Sequence, residues 1–213
     1  MNAKDKEKAR KLSPAEQKRL ARFEAEAEKL TKQGYKRREL TVGIVWANVF
    51  AFILGIPVLA VSLFLFFLRN GAQHMGLSLV EIITLVAAYA ALVVVHELVH
   101  GITWACFAPN HWQDIEFGFM KEYLTPYCAC GAPLTKGPYI LGALMPLLLL
   151  GILPTAAAIL LGSYWLLIIG FIMTISAGGD ILIVWKLLTY RSRAKEIVYF
   201  DHPTQAGGVV FER

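Results

Sequence analysis

Residues 92–100 read LVVVHELVH and lie in an apolar run that extends over about residues 79–107. A helix needs roughly 20 consecutive apolar residues to cross the hydrocarbon core of a membrane. Three further segments are long enough, at about residues 41–68, 138–161 and 164–189. The sequence therefore predicts an all-α membrane protein with four transmembrane helices.

The composition agrees with a membrane protein. Of the 213 residues, 56% are hydrophobic and 17% are charged, whereas soluble domains carry roughly 25% charged residues. Residues 1–39 hold 13 of the 21 Lys/Arg and 7 of the 16 Asp/Glu. Because this positive segment adjoins the first span, we expect it to lie at the cytoplasmic membrane surface and not to bind nucleic acid.

Four spans place both termini on one side of the membrane. With that side cytoplasmic, Arg69 is the one Lys/Arg that lies outside, as the positive-inside rule requires. We therefore predict a multi-pass protein of the cell membrane with a cytoplasmic arm (residues 1–39), a transmembrane core (40–190) and a cytoplasmic tail (191–213). The three cysteines then lie at the cytoplasmic face, where thiols stay reduced.

The arm contains a predicted helix that begins at Ser13-Pro14-Ala15-Glu16, where a Ser cap, an early Pro and a Glu three residues after the cap form a helix start signal. Its apolar stripe is narrow and consists of Leu20, Phe23, Ala27 and Leu30. A stripe this narrow favours a solvated arm, and the alternative is that it rests on the membrane or on the cytoplasmic loop.

The cytoplasmic loop of residues 109–137 is longer than an ordinary connection. Residues 114–120 and 125–130 read as short extended segments, with a turn near Lys121 and Glu122 between them. The loop is therefore expected to form a short β-hairpin.

The pattern H-E-x-x-H at His96, Glu97 and His100 predicts a metal site, because residues four apart share one helix face and two imidazoles can bind one zinc ion. Ionisable groups inside a span are costly and are usually functional. Catalytic zinc takes three protein ligands, and Asp180 is the one acidic residue of the fourth span. Asp180 and His100 lie at similar depths from the cytoplasmic ends of their spans, which nominates Asp180 as the third ligand.

Other interpretations of these polar residues stay open. The two histidines could instead bond backbone carbonyls or Asp180 and serve only to pack helices. Cys128 and Cys130 could hold a second metal, but no partner pair has zinc-ribbon spacing, so free strand thiols are favoured over a metal site. His74, His111 and His202 lie outside the spans and are expected to be ordinary surface histidines.

These motifs resemble the zincin peptidase family of small bacterial membrane proteins. The likeness covers about residues 40–211 and is carried by HELVHG at 96–101, TPYCACGAPL at 125–134, SAGGD at 176–180 and DHP at 201–203. The chain is more distantly similar to the site-2 protease class of intramembrane metalloproteases. That resemblance implies His96, His100 and Asp180 as zinc ligands and Glu97 as the catalytic residue.

One feature departs from the site-2 pattern, in which Gly follows the aspartate ligand: here Ile181 follows Asp180 and the glycines precede it. The resemblance also implies an extended element that engages substrate near the site. We expect an exposed strand edge to capture an unwound substrate by strand addition. We expect residues 125–130 to form this edge, with Thr125, Pro126, Tyr127 and Cys128 binding the substrate.

The sequence thus predicts a zinc-dependent endopeptidase that hydrolyses peptide bonds of membrane-embedded proteins or peptides near the cytoplasmic face. The alternative is a non-catalytic membrane protein, such as a scaffold or an immunity-type protein, that uses the cluster for zinc binding or helix packing. Glu97 separates the two, because hydrolysis requires a proton acceptor and packing does not.

Overall fold

The computed structural model describes residues 12–72, 76, 78–120 and 125–213, without the side chain of Ala15. His74 and the turn expected at Lys121 and Glu122 lie outside the described residues. The described chain is mostly helical, as predicted, and its long helices are accompanied by two small antiparallel sheets.

Three helical segments are long and apolar enough to span a membrane. They are α2 (Ile44–Asn70), α3 (Leu79–Ala105) and the segment Lys136–Leu161. The third consists of α4 (Lys136–Pro146), a π-helical stretch (Leu147–Ile152) and α5 (Leu153–Leu161). Pro154, the second residue of α5, lacks a backbone N–H and lies close to the π-helical stretch, where the regular hydrogen-bond ladder changes.

A fourth candidate span is broken. It consists of α6 (Tyr164–Ser176) and α7 (Gly178–Thr189), which meet at an angle of 46°. The break falls at Ala177, within the small-residue sequence SAGG at 176–179 that was predicted to allow close helix contact. A Cβ on Gly178 would lie 2.3 Å from the Cβ of Ala51 in α2, so glycine lets α7 begin directly against α2.

A three-stranded antiparallel sheet joins the two ends of the chain. Its strands are β1 (Lys36–Thr41), β4 (Ile197–Asp201) and β5 (Gly207–Glu212), in the order β1-β5-β4. This sheet corrects the all-α prediction, which assigned no strand to the arm or the tail.

The first helix, α1 (Pro14–Lys32), packs on this sheet. Phe23 and Ala27 are buried against Phe200, Val209 and Phe211, and the rings of Phe23 and Phe200 meet edge to face with centroids 5.7 Å apart. The expectation of a solvated arm was therefore wrong. The stripe is narrow, but one aromatic ring suffices because the sheet offers it a matching apolar face.

The predicted hairpin is present as β2 (Ile115–Met120) and β3 (Thr125–Cys130), which pair antiparallel. It lies against α3 just after the H-E-x-x-H pattern. A Cβ on Gly101 would lie 2.7 Å from the ring of Phe117 and 3.3 Å from Sγ of Cys128. The absence of a side chain at Gly101 therefore lets the hairpin pack beside the metal-binding pattern.

Candidate metal centre

Three side chains from two helices converge on one point. Nε2 of His96 and Nε2 of His100 are 3.1 Å apart, and Oδ2 of Asp180 lies 3.2 Å from the first and 3.5 Å from the second. Both histidines are buried, and the Asp180 side chain is 22% exposed. The structure thus brings together the three residues that the sequence nominated as ligands.

The spacing of these atoms fits zinc. Zinc binds imidazole nitrogen and carboxylate oxygen at about 2.0–2.2 Å in tetrahedral geometry, which separates neighbouring ligand atoms by roughly 3.3 Å. The observed separations of 3.1, 3.2 and 3.5 Å bracket this value. Among the described residues, this is the one group of His, Cys, Asp or Glu side chains with such convergence.

The surroundings of His100 fix its orientation. Its Nδ1 lies 2.8 Å from the carbonyl oxygen of Gly142 in α4, so Nδ1–H donates there and Nε2 keeps its lone pair for a metal. The ring of Trp104 stacks on it with centroids 5.1 Å apart. Gly142 makes room for this arrangement, since a Cβ there would lie 2.0 Å from Nε1 of Trp104.

His96 is held less completely. Its Nδ1 is buried and has no hydrogen-bond partner, the one such side-chain N or O atom in the described part of the chain. A packing role would be expected to satisfy both ring nitrogens. Nε2 of His96 points at His100 and Asp180, and Nδ1 is unpaired. This arrangement fits a metal ligand better than a histidine that only holds helices together.

The break in the fourth span positions Asp180. Asp180 lies in the first turn of α7, where the free N–H groups and the helix dipole favour a negative charge. In an unbroken helix the N–H groups at this position would be bonded to carbonyl groups of the preceding turn. The bend at Ala177 therefore supplies both the direction and the electrostatic support of the carboxylate.

Glu97 lies beside the two histidines on a cavity of about 440 Å³. The cavity is also lined by Asp180 and by residues 125–129 of the hairpin. The carboxylate of Glu97 interacts with the backbone N–H of Cys128 in β3. The predicted catalytic residue and the predicted strand therefore lie on the same cavity as the metal cluster.

Residues 89–195 match a family described as "Putative zincin peptidase". The chain belongs to this family. The match includes all three candidate ligands, Glu97 and both strands of the hairpin, and it excludes α1 and the three-stranded sheet. Comparisons with curated proteins and with solved structures found no match.

In this member of the family the hairpin leaves one strand edge facing the cavity. The N–H of Cys130 donates to Oδ2 of Asp201 at 2.7 Å and not to β2. Since alternate residues of a strand direct their N–H groups to the same edge, the N–H of Cys128 also faces away from β2. The expected substrate-binding residues Thr125, Pro126, Tyr127 and Cys128 all line the cavity.

Sequence analysis missed the contribution of the tail to the site. Asp201, His202 and residues 204–207 line the cavity, and Oδ1 of Asp201 accepts a hydrogen bond from the Tyr139 hydroxyl at 2.7 Å. Burial raises the pKa of Asp201 above its ordinary value. The DHP sequence at residues 201–203 was the available signal, but it was used only to support the family resemblance.

His202 is also not the surface histidine that was expected. It is buried, and its Nδ1 accepts hydrogen bonds from the backbone N–H groups of Thr204 and Gln205. Burial lowers the pKa of His202 to about 4, so the ring is neutral at physiological pH. His111, by contrast, is exposed as expected.

Arg19 of α1 also lines the cavity. Its Nε donates to the carbonyl of Pro203 at 2.6 Å, and its guanidinium lies 4.6 Å from the ring centroid of Tyr127. Arg19 thereby joins α1, the tail and the hairpin in one cap.

The cysteines are free thiols, as predicted. Burial raises the pKa of Cys128 above its ordinary value and that of Cys130 to about 12. Both are therefore protonated at neutral pH and are poor metal ligands. In the described residues they belong to no metal-binding group.

Proposed function

We propose that this protein is an intramembrane zinc endopeptidase that cleaves membrane-embedded substrates near the cytoplasmic face. The observation that carries the proposal is the convergence of His96, His100 and Asp180 at zinc-ligand spacing, with Glu97 on the same cavity, in helices long enough to span a membrane. Membership of the putative zincin peptidase family supports metallopeptidase chemistry.

The sheet supports a topology with four spans. Strand β1 precedes the first candidate span and β5 follows the last, yet the two are hydrogen-bonded along six residue pairs. Strands that pair must lie on the same side of a membrane, so the chain between them crosses an even number of times. The bent pair α6 and α7 then counts as the fourth crossing, and the positive-inside rule makes the side of the sheet and both termini cytoplasmic.

The hairpin agrees with this topology. It lies between the second and third spans, after an even number of crossings, and Cys130 of β3 is bonded to Asp201 of β4. Hairpin, sheet and α1 therefore form one cytoplasmic cap over the metal cluster.

In the proposed reaction, His96, His100 and Asp180 hold zinc, which when bound supplies Lewis acidity that polarises the scissile carbonyl and lowers the pKa of the attacking water. The Glu97 carboxylate accepts the proton of this water and then donates it to the nitrogen of the leaving amine. The Nδ1–H of His100 stays on the Gly142 carbonyl throughout and keeps the ring in place.

Substrate has a lateral route to this site. The first and second spans, α2 and α3, barely contact each other, and the cavity extends between them along Asn48 and Phe52 of α2 and Tyr89 and Val93 of α3. A substrate helix reaching the cavity from the lipid must expose its backbone before hydrolysis. At the edge of β3, the N–H of Cys128 interacts with Glu97, while the C=O of Cys128 faces the same way and can accept a hydrogen bond from an extended substrate backbone.

The test is Glu97→Gln, with Glu81→Gln as the matched control on the same helix. Glu81 forms a capping box with Ser78, a role that Gln also fills. Comparison of membrane-protein fragments in cells that express each variant should show fragments that disappear only with Glu97→Gln. Purified Glu97→Gln should keep about one zinc per chain, and Asp180→Ala should lose most of it.

Cleavage of the same substrates by Glu97→Gln would refute the proposed mechanism. Normal zinc in all variants, without any fragment that depends on Glu97, would instead support the non-catalytic scaffold or immunity-type alternative. Unchanged zinc in Asp180→Ala would show that the third ligand lies elsewhere.

A further inference from the structure

A cluster of exposed aromatic side chains lies beside the hairpin. Phe107, Trp112, Phe117 and Phe119 are 47, 50, 43 and 53% exposed, and we refer to these four residues as the aromatic face. The rings of Trp112 and Phe117 have centroids 5.7 Å apart. Phe117 and Phe119 are two residues apart on β2 and so point to the same side of the strand. Phe107 follows the end of α3 at Ala105 by two residues, so exposed aromatic rings occur both at the end of this helix and along β2, as on an interaction surface.

This aromatic face lies alongside a membrane span. The contact of the Phe117 ring with Gly101 places β2 directly against α3. Gly101 precedes the end of α3 at Ala105 by four residues, or about 6 Å at the rise of an α-helix. The hairpin therefore lies beside the last turns of the span and not beyond its end.

The aromatic face continues the apolar surface of α3. Leu98 and Ile102 are one turn apart on one side of the helix and are exposed, and Leu98 is also one turn before Gly101. The other side of the hairpin differs: Glu116 forms an ion pair with Arg22 of α1 at 3.7 Å, and Tyr127 lies under Arg19. One side of the hairpin thus joins the lipid-facing surface, and the other joins the cytoplasmic cap.

We infer that the aromatic face lies in the cytoplasmic leaflet of the bilayer, at the boundary between headgroups and acyl chains. The inference rests on the membrane topology of the proposed function. Trp is enriched at this depth, and Phe and Trp are common on the apolar face of helices that lie in the membrane interface. The outer edge of β2 has no strand partner among the described residues. Its backbone N–H and C=O groups therefore need hydrogen bonds from water or headgroups. The strand accordingly stays at the interface, and only its aromatic side chains enter the lipid.

This position has a consequence for the substrate. The edge of β3 that lines the metal cavity belongs to the same hairpin. A hairpin fixed at the interface presents that edge at the level where a transmembrane helix ends and its backbone is easiest to unwind. The bound segment is then the juxtamembrane end of a substrate helix.

The inference is tested with nitroxide spin labels on the whole chain in vesicles of phosphatidylcholine and phosphatidylglycerol. Labels are attached at Phe119→Cys, at Glu116→Cys three residues earlier on the other side of the same strand, and at Val86→Cys on the exposed side of α3. The exposed Cys106 is replaced by Ala, while Cys128 and Cys130 remain because their raised pKa values make them slow to react.

We expect the label at 119 to collide with oxygen, which concentrates in lipid, several-fold more than with a water-soluble nickel chelate. The label at 86 should behave in the same way, and the label at 116 should show the reverse. A label at 119 as accessible to nickel as that at 116, with 86 still in lipid, would overturn the inference and leave the topology intact. Nickel access at 86 would refute the topology itself.

A second measurement uses native side chains. The fluorescence of Trp112 is the difference between the native protein and Trp112→Phe. It should be quenched more by phosphatidylcholine brominated near the headgroup than by lipid brominated near the end of the acyl chain. Equal fluorescence from Trp112 in brominated and unbrominated vesicles would contradict the inference without any labelled variant.

Discussion

Gly178→Ala should disrupt zinc binding although Gly178 is not a ligand. A Cβ at this position would lie 2.3 Å from Cβ and 2.7 Å from Cα of Ala51, whereas carbon atoms in contact prefer about 3.5–4.0 Å. The start of α7 must therefore move from α2 by about 1.2 Å or more. Overpacking of this kind costs about 1–3 kcal/mol.

The same displacement moves Asp180, two residues along α7. Metal–ligand distances tolerate only about 0.2 Å of error, so a shift of an ångström separates Oδ2 of Asp180 from the point where the histidines converge. Loss of ligand positioning usually weakens metal affinity about 10- to 100-fold. We expect a decrease of this size in the zinc affinity of purified Gly178→Ala, measured by competition with a chelator.

Gly179→Ala is the matched control, because a Cβ there meets nothing within 4 Å and the gain in helix propensity is the same. Ala51→Gly combined with Gly178→Ala should restore part of the affinity, since the closest atom is removed while Cα of Ala51 remains. Equal zinc affinity of Gly178→Ala and Gly179→Ala would refute the argument that this helix contact positions Asp180.

Two further predictions concern the cytoplasmic cap. Phe23→Ala should release α1 from the sheet, because truncating a buried Phe costs about 3–5 kcal/mol. Trypsin should then cleave α1 much faster than it does in Glu28→Ala, a control at an exposed position of the same helix. Equal cleavage of the two variants would contradict the packing of α1 on the sheet. The depressed pKa of His202 means that the unfolded chain binds a proton between pH 6.5 and about 4 while the folded chain does not, so stability falls as the pH is lowered through this range. His202→Asn keeps an acceptor for the two backbone N–H groups and should flatten this part of the pH profile of thermal unfolding, whereas an unchanged profile would assign the dependence to another group.

The helical part of the fold and the centre of the site could be predicted because both depend on local sequence. Span length follows from a continuous apolar run, and the relation of His96 to His100 follows from the helical repeat alone. Asp180 required one further step, the comparison of depth in two spans. That comparison relates residues that are distant in sequence but equally far from a helix end, and the structure places Asp180 within 3.5 Å of Nε2 of both histidines.

The three-stranded sheet could not be predicted in the same way. Strand β1 reads KRRELT and is mostly exposed, so it lacks the alternation of apolar and polar residues that marks a half-buried strand. Its pairing with residues 207–212 is a tertiary contact that no local pattern encodes. The roles of Asp201, His202 and Arg19 were missed for the same reason, since polar residues in a tail and an arm look solvent-exposed until the sheet brings them to the cavity.

The pairing of β1 with β5 also imposes an order on the assembly of the protein. Strand β1 is synthesised before helices α2–α7, but it gains its neighbour only when residues 207–212 have been made, after all of these helices. The last strand also supplies Val209 and Phe211, on which α1 packs. His96, His100 and Asp180 are therefore synthesised before the cap over them can form. The complete cavity cannot exist until the last strand has been made.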